Sequence, residues 1–318
     1  LQGFSDSSSE PTQSNRKEAY ARLLAQPKKE FEREKFAPKD NSEIFSLRGK
    51  EMEVLEQLGK GATATVWKGC IDGKLVALKQ FILSSDARER RAMRKELKIE
   101  VDMMREFAHR NVLRYFGSFY SKKTQELNMI VELVGAGDIT HQLKKHTTFN
   151  DTLTAHVVYQ VLQALVYLHE RNLLHRDIKP DNLLIDLDGC IKVVDFGIAA
   201  QLSQANAKRC SSVGTPWYTA PEVINGDEYS FGCDIWSLGC TVFEMVTGHC
   251  PYHECSAMVA VYKMTEQAHP SIPDSVSSLC RQFLLDCWKA NTQERPSAKA
   301  LLSHPFIVNN LISGYEHT

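Results

Sequence analysis

The chain lacks any run near the roughly 18 consecutive apolar residues that a membrane-crossing helix needs, so no segment is expected to span a bilayer. It lacks an excess of charge of either sign. Its 38 basic and 39 acidic residues leave a net charge of −1, which argues against nucleic acid or another polyanion as the main partner. It also lacks CxxC pairs. The nine cysteines are odd in number and scattered from Cys70 to Cys287, which suits reduced thiols better than a disulfide framework. No signal-peptide pattern opens the chain and no internal repeat is visible. Together these absences predict a soluble, cytoplasmic protein.

With 318 residues, 43% of them hydrophobic, the chain can bury a substantial core as one large domain or two lobes. Residues 1–16 are polar and serine-rich, and read as a tail that cannot repay the entropy of ordering. Residues 17 to about 36 alternate in charge, with Tyr20, Leu23 and Leu24 on one helical face and Pro27 interrupting it; residues 1–51 are therefore read as a tail and linker helix. From Met52 the pattern changes to short β-like runs, MEVLEQLGKG, TVWKGCI and KLVALKQFI, the last two separated by the turn signal Asp72-Gly73. A charged helix is predicted from about Asp86, with Val101, Met104 and Phe107 at near-helical spacing, followed by strands in VLRYFGSFY and ELNMIVELV. After Gly137 the chain reads mainly as helix. LTAHVVYQVLQALVYLH places Leu153, Val157, Val158, Val161, Leu162, Leu165 and Leu168 on one wide stripe, and DIWSLGCTVFEMV is apolar nearly all round. A strand-rich half followed by a helix-rich half predicts an α+β protein of two lobes with a cleft between them. The divisions expected are a lobe over 52–134, a second over 135–307 and a tail over 308–318.

Phosphoryl transfer needs a cradle for phosphates, a cation to neutralise them and a group to orient the acceptor. GKGATATV, residues 59–66, fits G-x-G-x-x-G-x-V except that Ala64 stands where the third glycine would be. Gly59 and Gly61 would let backbone N–H groups approach a phosphate, and Val66 would cover a base. In VALK, residues 76–79, strand alternation turns Ala77 and Lys79 toward the same space. A lysine there needs a carboxylate to hold it, and Glu100 is the candidate, with Glu96 one turn earlier as the alternative. In HRDIKPDN, residues 175–182, Asp177 can accept the proton of an attacking hydroxyl, Lys179 can stabilise a transferring phosphate and Asn182 can ligate Mg²⁺. VVDFG then ends an apolar strand on Asp195, which delivers a hard carboxylate oxygen to a cation. APE supplies Glu222, for which Arg295 is a plausible buried partner.

On these motifs, residues about 52 to 307 resemble a eukaryotic protein kinase domain, with each major motif in order. The resemblance implies the two-lobed kinase fold, with ATP and Mg²⁺ as cofactors. It implies a nucleotide site lined by Gly59, Lys60, Gly61, Val66, Ala77, Lys79, Val131, Glu132, Val134, Asp138 and Leu184, with the hinge formed by Glu132, Leu133 and Val134. Asn182 and Asp195 would hold the metal. His175, Arg176, Phe196, Glu222 and Arg295 would be structural, and Asp234 would brace the catalytic loop. IKPDN after Asp177 points to serine or threonine as acceptor, and Thr215 in GTPWYTAPE resembles the hydroxyl residue beside the catalytic aspartate and lysine. GTPWYTAPEVI, DIWSLGCTVFEMVTGHCPY and PSAKALLSHPFI look like the sterile-type kinases, and SIPDSVSSLCRQFLLDCW leans toward the MAP kinase kinase kinase branch. The implied substrates are protein activation loops of MAP kinase kinases. Arg176, directly before Asp177, is expected to take a phosphate on Ser211 or Ser212, placed by an upstream kinase or by autophosphorylation.

Two further signals point elsewhere. HCPYHEC, residues 249–255, offers histidines and cysteines, but four ligands so tightly spaced rarely converge on one zinc. DARERRAMRKELK, residues 86–98, is strongly basic and reads as a solvated helical face, with docking of an acidic partner or phosphate as the alternative.

Overall fold

Short alternating runs joined by tight turns can bury one face only by pairing side by side. A computed structural model of the chain describes residues 52–61, 64–84, 86–121, 126–195, 200–201, 216–228, 230–266 and 269–313. Strands β1 (Met52–Lys60), β2 (Ala64–Ile71), β3 (Lys74–Ile82), β4 (Tyr115–Ser121) and β5 (Glu126–Glu132) form an antiparallel sheet in the order β1-β2-β3-β5-β4. Asp72 and Gly73 turn β2 into β3 with φ of 50° and 77°, the positive values that a two-residue hairpin turn demands. Alternation along β3 sorts its side chains. Ala77 and Phe81 join the main core, while Val76 and Leu78 form a second cluster with Ile71 and Ile130.

The first helix, α1 (Ala87–Met104), starts where Asp86 accepts hydrogen bonds from the N–H groups of Arg88 and Glu89. Leu97, Val101 and Met104 seat it on the core side of the sheet. Phe107 is buried too, but beyond the helix end; the three-residue spacing ran on past the last helical turn.

The remaining elements are mainly helical: α2 (Ile139–His146), α3 (Asp151–His169), α4 (Pro221–Asn225), α5 (Gly232–Thr247), α6 (Ala257–Glu266), α7 (Ser278–Cys287), α8 (Ala298–Leu301) and α9 (Pro305–Ser313). Two small strand pairs lie among them, β6 (Leu173–Leu174) with β9 (Ala200–Gln201) and β7 (Leu183–Ile185) with β8 (Ile191–Val193). The α3 helix is buried on more than the expected stripe: Thr154, Ala155, His156, Gln160 and Ala164 are covered as well. Its neighbours α5, α8, α9 and β8 explain this, because they surround it. The α5 helix, apolar nearly all round, lies equally deep, and Gly239 lets α7 approach it, since a Cβ there would stand 2.7 Å from Trp288 Nε1. The protein thus has a sheet-rich lobe with one main helix and a larger helical lobe, the α+β arrangement expected. Among the described residues no helix is long and apolar enough to cross a membrane. The expectation for residues 1–51 falls outside the described residues, as do residues 314–318 of the tail expected over 308–318, whereas residues 308–313 belong to α9.

Candidate active site

The segment 175–182 leaves β6 and ends in a 3-10 turn, Pro180–Asn182, and one buried carboxylate from α5 shapes it. Asp234 is 0% exposed. Its Oδ1 accepts the Arg176 N–H at 2.8 Å, and its Oδ2 accepts the His175 N–H at 3.0 Å and bonds His169 Nε2 at 2.8 Å. Burial pushes this carboxyl up, but the His169 hydrogen bond and charge outweigh it and hold the group below its ordinary range. The bonds also keep Arg176 at a φ of 71°, which a non-glycine residue adopts only where its surroundings enforce it. His175 is fully buried, and that burial pushes its pKa down. As the neutral ring it donates from Nε2 to the Val194 carbonyl at 2.9 Å and accepts the Asp177 N–H on Nδ1 at 3.3 Å.

Asp177 is therefore held by its own backbone before any ligand arrives. Its Oδ2 accepts from Lys179 Nζ at 2.7 Å and from Asn182 Nδ2 at 2.8 Å. The same Asn182 amide donates to the Asp177 carbonyl at 2.8 Å. The other carboxylate oxygen, Oδ1, is buried and has no hydrogen-bond partner among the described residues. A buried acceptor left unpaired costs free energy, and a hydrogen-bond donor is what it lacks.

The second carboxylate follows β8. Val194 donates its N–H to the Asn182 carbonyl at 3.0 Å, which ties the approach to Asp195 onto the 3-10 turn. Asp195 stands at a φ of 65° and forms an ion pair with Lys79 of β3. Burial raises the Asp195 carboxyl, but the Lys79 charge and hydrogen bond prevail and keep it below the usual carboxylate range. The side chains of Glu96 and Glu100, the expected partners of Lys79, lie outside the described residues.

Above these groups, the hairpin from β1 to β2 closes with Gly61 donating its N–H to the Ala64 carbonyl at 2.9 Å. A Cβ at Gly59 would meet nothing within 4 Å, and one at Gly61 only the Ala64 carbonyl oxygen at 3.5 Å. Neither glycine has a positive φ. The chain itself does not require glycine there, so the free space is available to a ligand. Ala64 opens β2 opposite Phe81. Ala77 and Val131 belong to the main core, with Val66, Leu133, Val134 and Leu184 packed against it.

The donor set suits a hard divalent cation with a polyphosphate: Asp195 offers carboxylate oxygen, and Asn182, with Nδ2 committed to Asp177, keeps Oδ1 for a metal. A family model described as the protein kinase domain matches residues 52–307. The chain belongs to the protein kinase family. It is 40% identical over 261 residues to "Mitogen-activated protein kinase kinase kinase 2" of Arabidopsis thaliana, covering 79% of this chain and 40% of that protein. It is 39% identical over 259 residues to "MAP3K epsilon protein kinase 1" of the same plant, covering 80% of this chain and 19% of the relative. A "Probable serine/threonine-protein kinase" of Dictyostelium discoideum is 37% identical over 262 residues, covering 82% and 40%. The similarity thus runs to serine/threonine kinases of the MAP kinase kinase kinase type, and the chain spans about a fifth to two fifths of the length of these relatives.

Within this kinase domain Glu222 and Arg295 meet, 73 residues apart, in a two-pronged ion pair of 2.7 and 3.2 Å, each 7% exposed or less. Arg295 also donates to the carbonyls of Gly232 and Lys289 and stacks over Trp236. Two expected nucleotide-site residues carry other duties. The Glu132 carboxylate is held by Lys192 Nζ at 2.9 Å and by the Arg114 N–H at 2.7 Å, and its own N–H donates to the Arg114 carbonyl. Asp138 caps α2 by accepting the His141 N–H at 2.6 Å. Phe196, Ser211, Ser212 and Thr215 lie outside the described residues. Sequence reasoning missed His169 and Lys192. The first ends an apolar helix and the second interrupts the apolar strand IKVV, so each is a polar residue in an apolar element, the one signal that could have found them.

Proposed function

We propose that the chain is an ATP- and Mg²⁺-dependent protein serine/threonine kinase of the MAP kinase kinase kinase type, transferring the γ-phosphate to serine and threonine hydroxyls of protein substrates, MAP kinase kinases among them. The observation that carries this reading is the unpaired, buried Oδ1 of Asp177. An acceptor hydroxyl donating to that oxygen is oriented for attack and has a site for its proton. Lys179, which bonds the opposite oxygen, places a positive charge beside the point where negative charge develops. Lys79 neutralises Asp195 in the free protein and is positioned to turn to phosphate oxygens. Mg²⁺, held by Asn182 and Asp195, would neutralise the charge of the nucleotide phosphates. Thr215 is proposed to lie beside Asp177 and Lys179, with Phe196 structural. Arg176 is proposed to take a phosphate on Ser211 or Ser212, placed by an upstream kinase or by autophosphorylation.

The lobes are proposed to divide at residues 134 and 135. The eight described cysteines are all free thiols, which supports a reducing compartment such as the cytoplasm. The test is transfer of labelled phosphate from Mg-ATP to a catalytically inactive MAP kinase kinase. We expect phosphoserine or phosphothreonine from the wild type and none from Asp195→Asn. Nucleotide binding with no transfer by the phosphorylated wild type would replace the enzyme with a scaffold.

A further inference from the structure

We infer that the outer face of α1 is a docking surface for an acidic segment of a separate protein. The helix carries six cations, Arg88, Arg90, Arg91, Arg94, Lys95 and Lys98. Two have work within the fold: Arg90 donates to the Ser84 carbonyl at 3.1 Å, and the Arg94 guanidinium lies 4.5 Å from the Tyr120 ring centre. The other four, Arg88, Arg91, Lys95 and Lys98, are exposed, and none is paired with a carboxylate among the described residues. Their spacing of three, four and three residues keeps them on one side of the helix. At 1.5 Å per residue the row is about 15 Å long.

Three features make this row costly to the helix that bears it. Arg91 and Lys95 are like charges one turn apart, and each end of the row adds another close pair. The cations crowd the N-terminal half, where the helix dipole disfavours positive charge. The last turn, where the dipole favours it, has no basic residue. Asp86 and Glu89 complement the dipole at the N-terminus, but the row itself meets no described carboxylate, a local conflict of the kind found at functional surfaces.

The chemistry selects the partner. Leu97, Val101 and Met104 lie in the core and Met93 packs against it, so among the described residues no apolar face of the helix remains to enter a bilayer. The chain as a whole is slightly acidic, which disfavours a nucleic acid polyanion. An extended acidic peptide matches a row one helix wide. The 318 residues contain no three consecutive Asp or Glu residues, so none of them supplies a matching acidic run. The inference does not depend on the catalytic reading.

The test is fluorescence anisotropy of a labelled oligoglutamate of about twelve residues, long enough when extended to span the row, added to the full chain. We expect binding that weakens as salt rises from about 50 to about 200 mM. Arg91→Glu with Lys95→Glu should weaken it by about tenfold or more, and the glutamine pair Arg91→Gln with Lys95→Gln by about threefold. Lys144→Glu with Lys299→Glu, which removes two exposed lysines elsewhere, should change it by less than about twofold. Arg88→Glu relieves the dipole conflict, so its melting temperature should equal or exceed the wild type's, separating loss of binding from loss of fold. Absence of binding by the wild type, equal loss in the distant control pair, or binding of phosphatidylserine vesicles in place of the peptide would overturn the inference.

Discussion

Asp177 and Asp195 serve the same proposed reaction from different supports. Asp177 is 8% exposed and held by Lys179, Asn182, His175 and, through the backbone, Asp234. The Asp195 side chain is 48% exposed, and the ion pair it makes is with Lys79, which comes from the other lobe. The first is preorganised by the fold, so little rearrangement remains when a substrate hydroxyl arrives. The second is held by a pairing that a cation and phosphate can exchange for their own. On the proposed function, the difference separates a fixed acceptor site from a metal site that would form as ligand binds.

The largest expected effect breaks the comparison on its fixed side. Asp177→Asn should lower the rate of transfer by about 10³-fold or more, the order of a lost general base together with its hydroxyl contact; a steady-state assay reads it. Arg295→Ala should come next, as a loss of stability. It leaves Glu222 buried and unpaired, a change that costs roughly 3–5 kcal/mol, measurable by urea denaturation. A loss confined to activity would contradict the structural role.

A pH series sharpens the comparison with a smaller effect. His109 is pushed down to about 4, first by burial and then by the charges of Lys192, Arg110 and Arg171; burial also lowers His175. Both bind protons more readily when unfolded, so stability is full above about 6.5 and falls as pH drops toward 4. Asp195 and Asp234, shifted down, add their own loss only below the unfolded carboxylate range. Melting temperatures between pH 7.5 and 5 should fall for the wild type and less steeply for His109→Asn. The smallest effect concerns the loop. Ala64 sits in strand pairing with Phe81, so Ala64→Gly should change KM for ATP by less than about tenfold, or about 1.4 kcal/mol. A several-hundredfold gain in turnover would show that the alanine cripples the loop.

The two aspartates were legible in the sequence because each lies in a short string whose members work together, HRDIKPDN and VVDFG. The pairing of Glu222 with Arg295 was legible as a charge complement. What supports the site was not. His169 reaches Asp234 across 65 residues and Lys192 reaches Glu132 across 60, and no local pattern encodes contacts set by the packing of α3 on α5 or by the meeting of β8 with the end of β5. The stripe on α3 was right in kind but too narrow, since Thr154, His156 and Gln160 read as polar. Gln160 is satisfied inside, its Oε1 accepting from Asn111 Nδ2 at 3.0 Å and from the Ile191 N–H at 2.9 Å. Burial of a polar residue depends on distant partners. The glycines of the loop read as phosphate cradles; in three dimensions the chain leaves room there that it does not need.

The most direct measurement pairs Mg-ATP affinity with transfer rate in Asp177→Asn. If the unpaired oxygen serves the acceptor hydroxyl, the Kd for Mg-ATP should stay within about threefold of the wild type while transfer falls by about 10³-fold or more. Transfer near the wild-type rate, or a loss of nucleotide affinity large enough to account for the whole defect, would contradict the account.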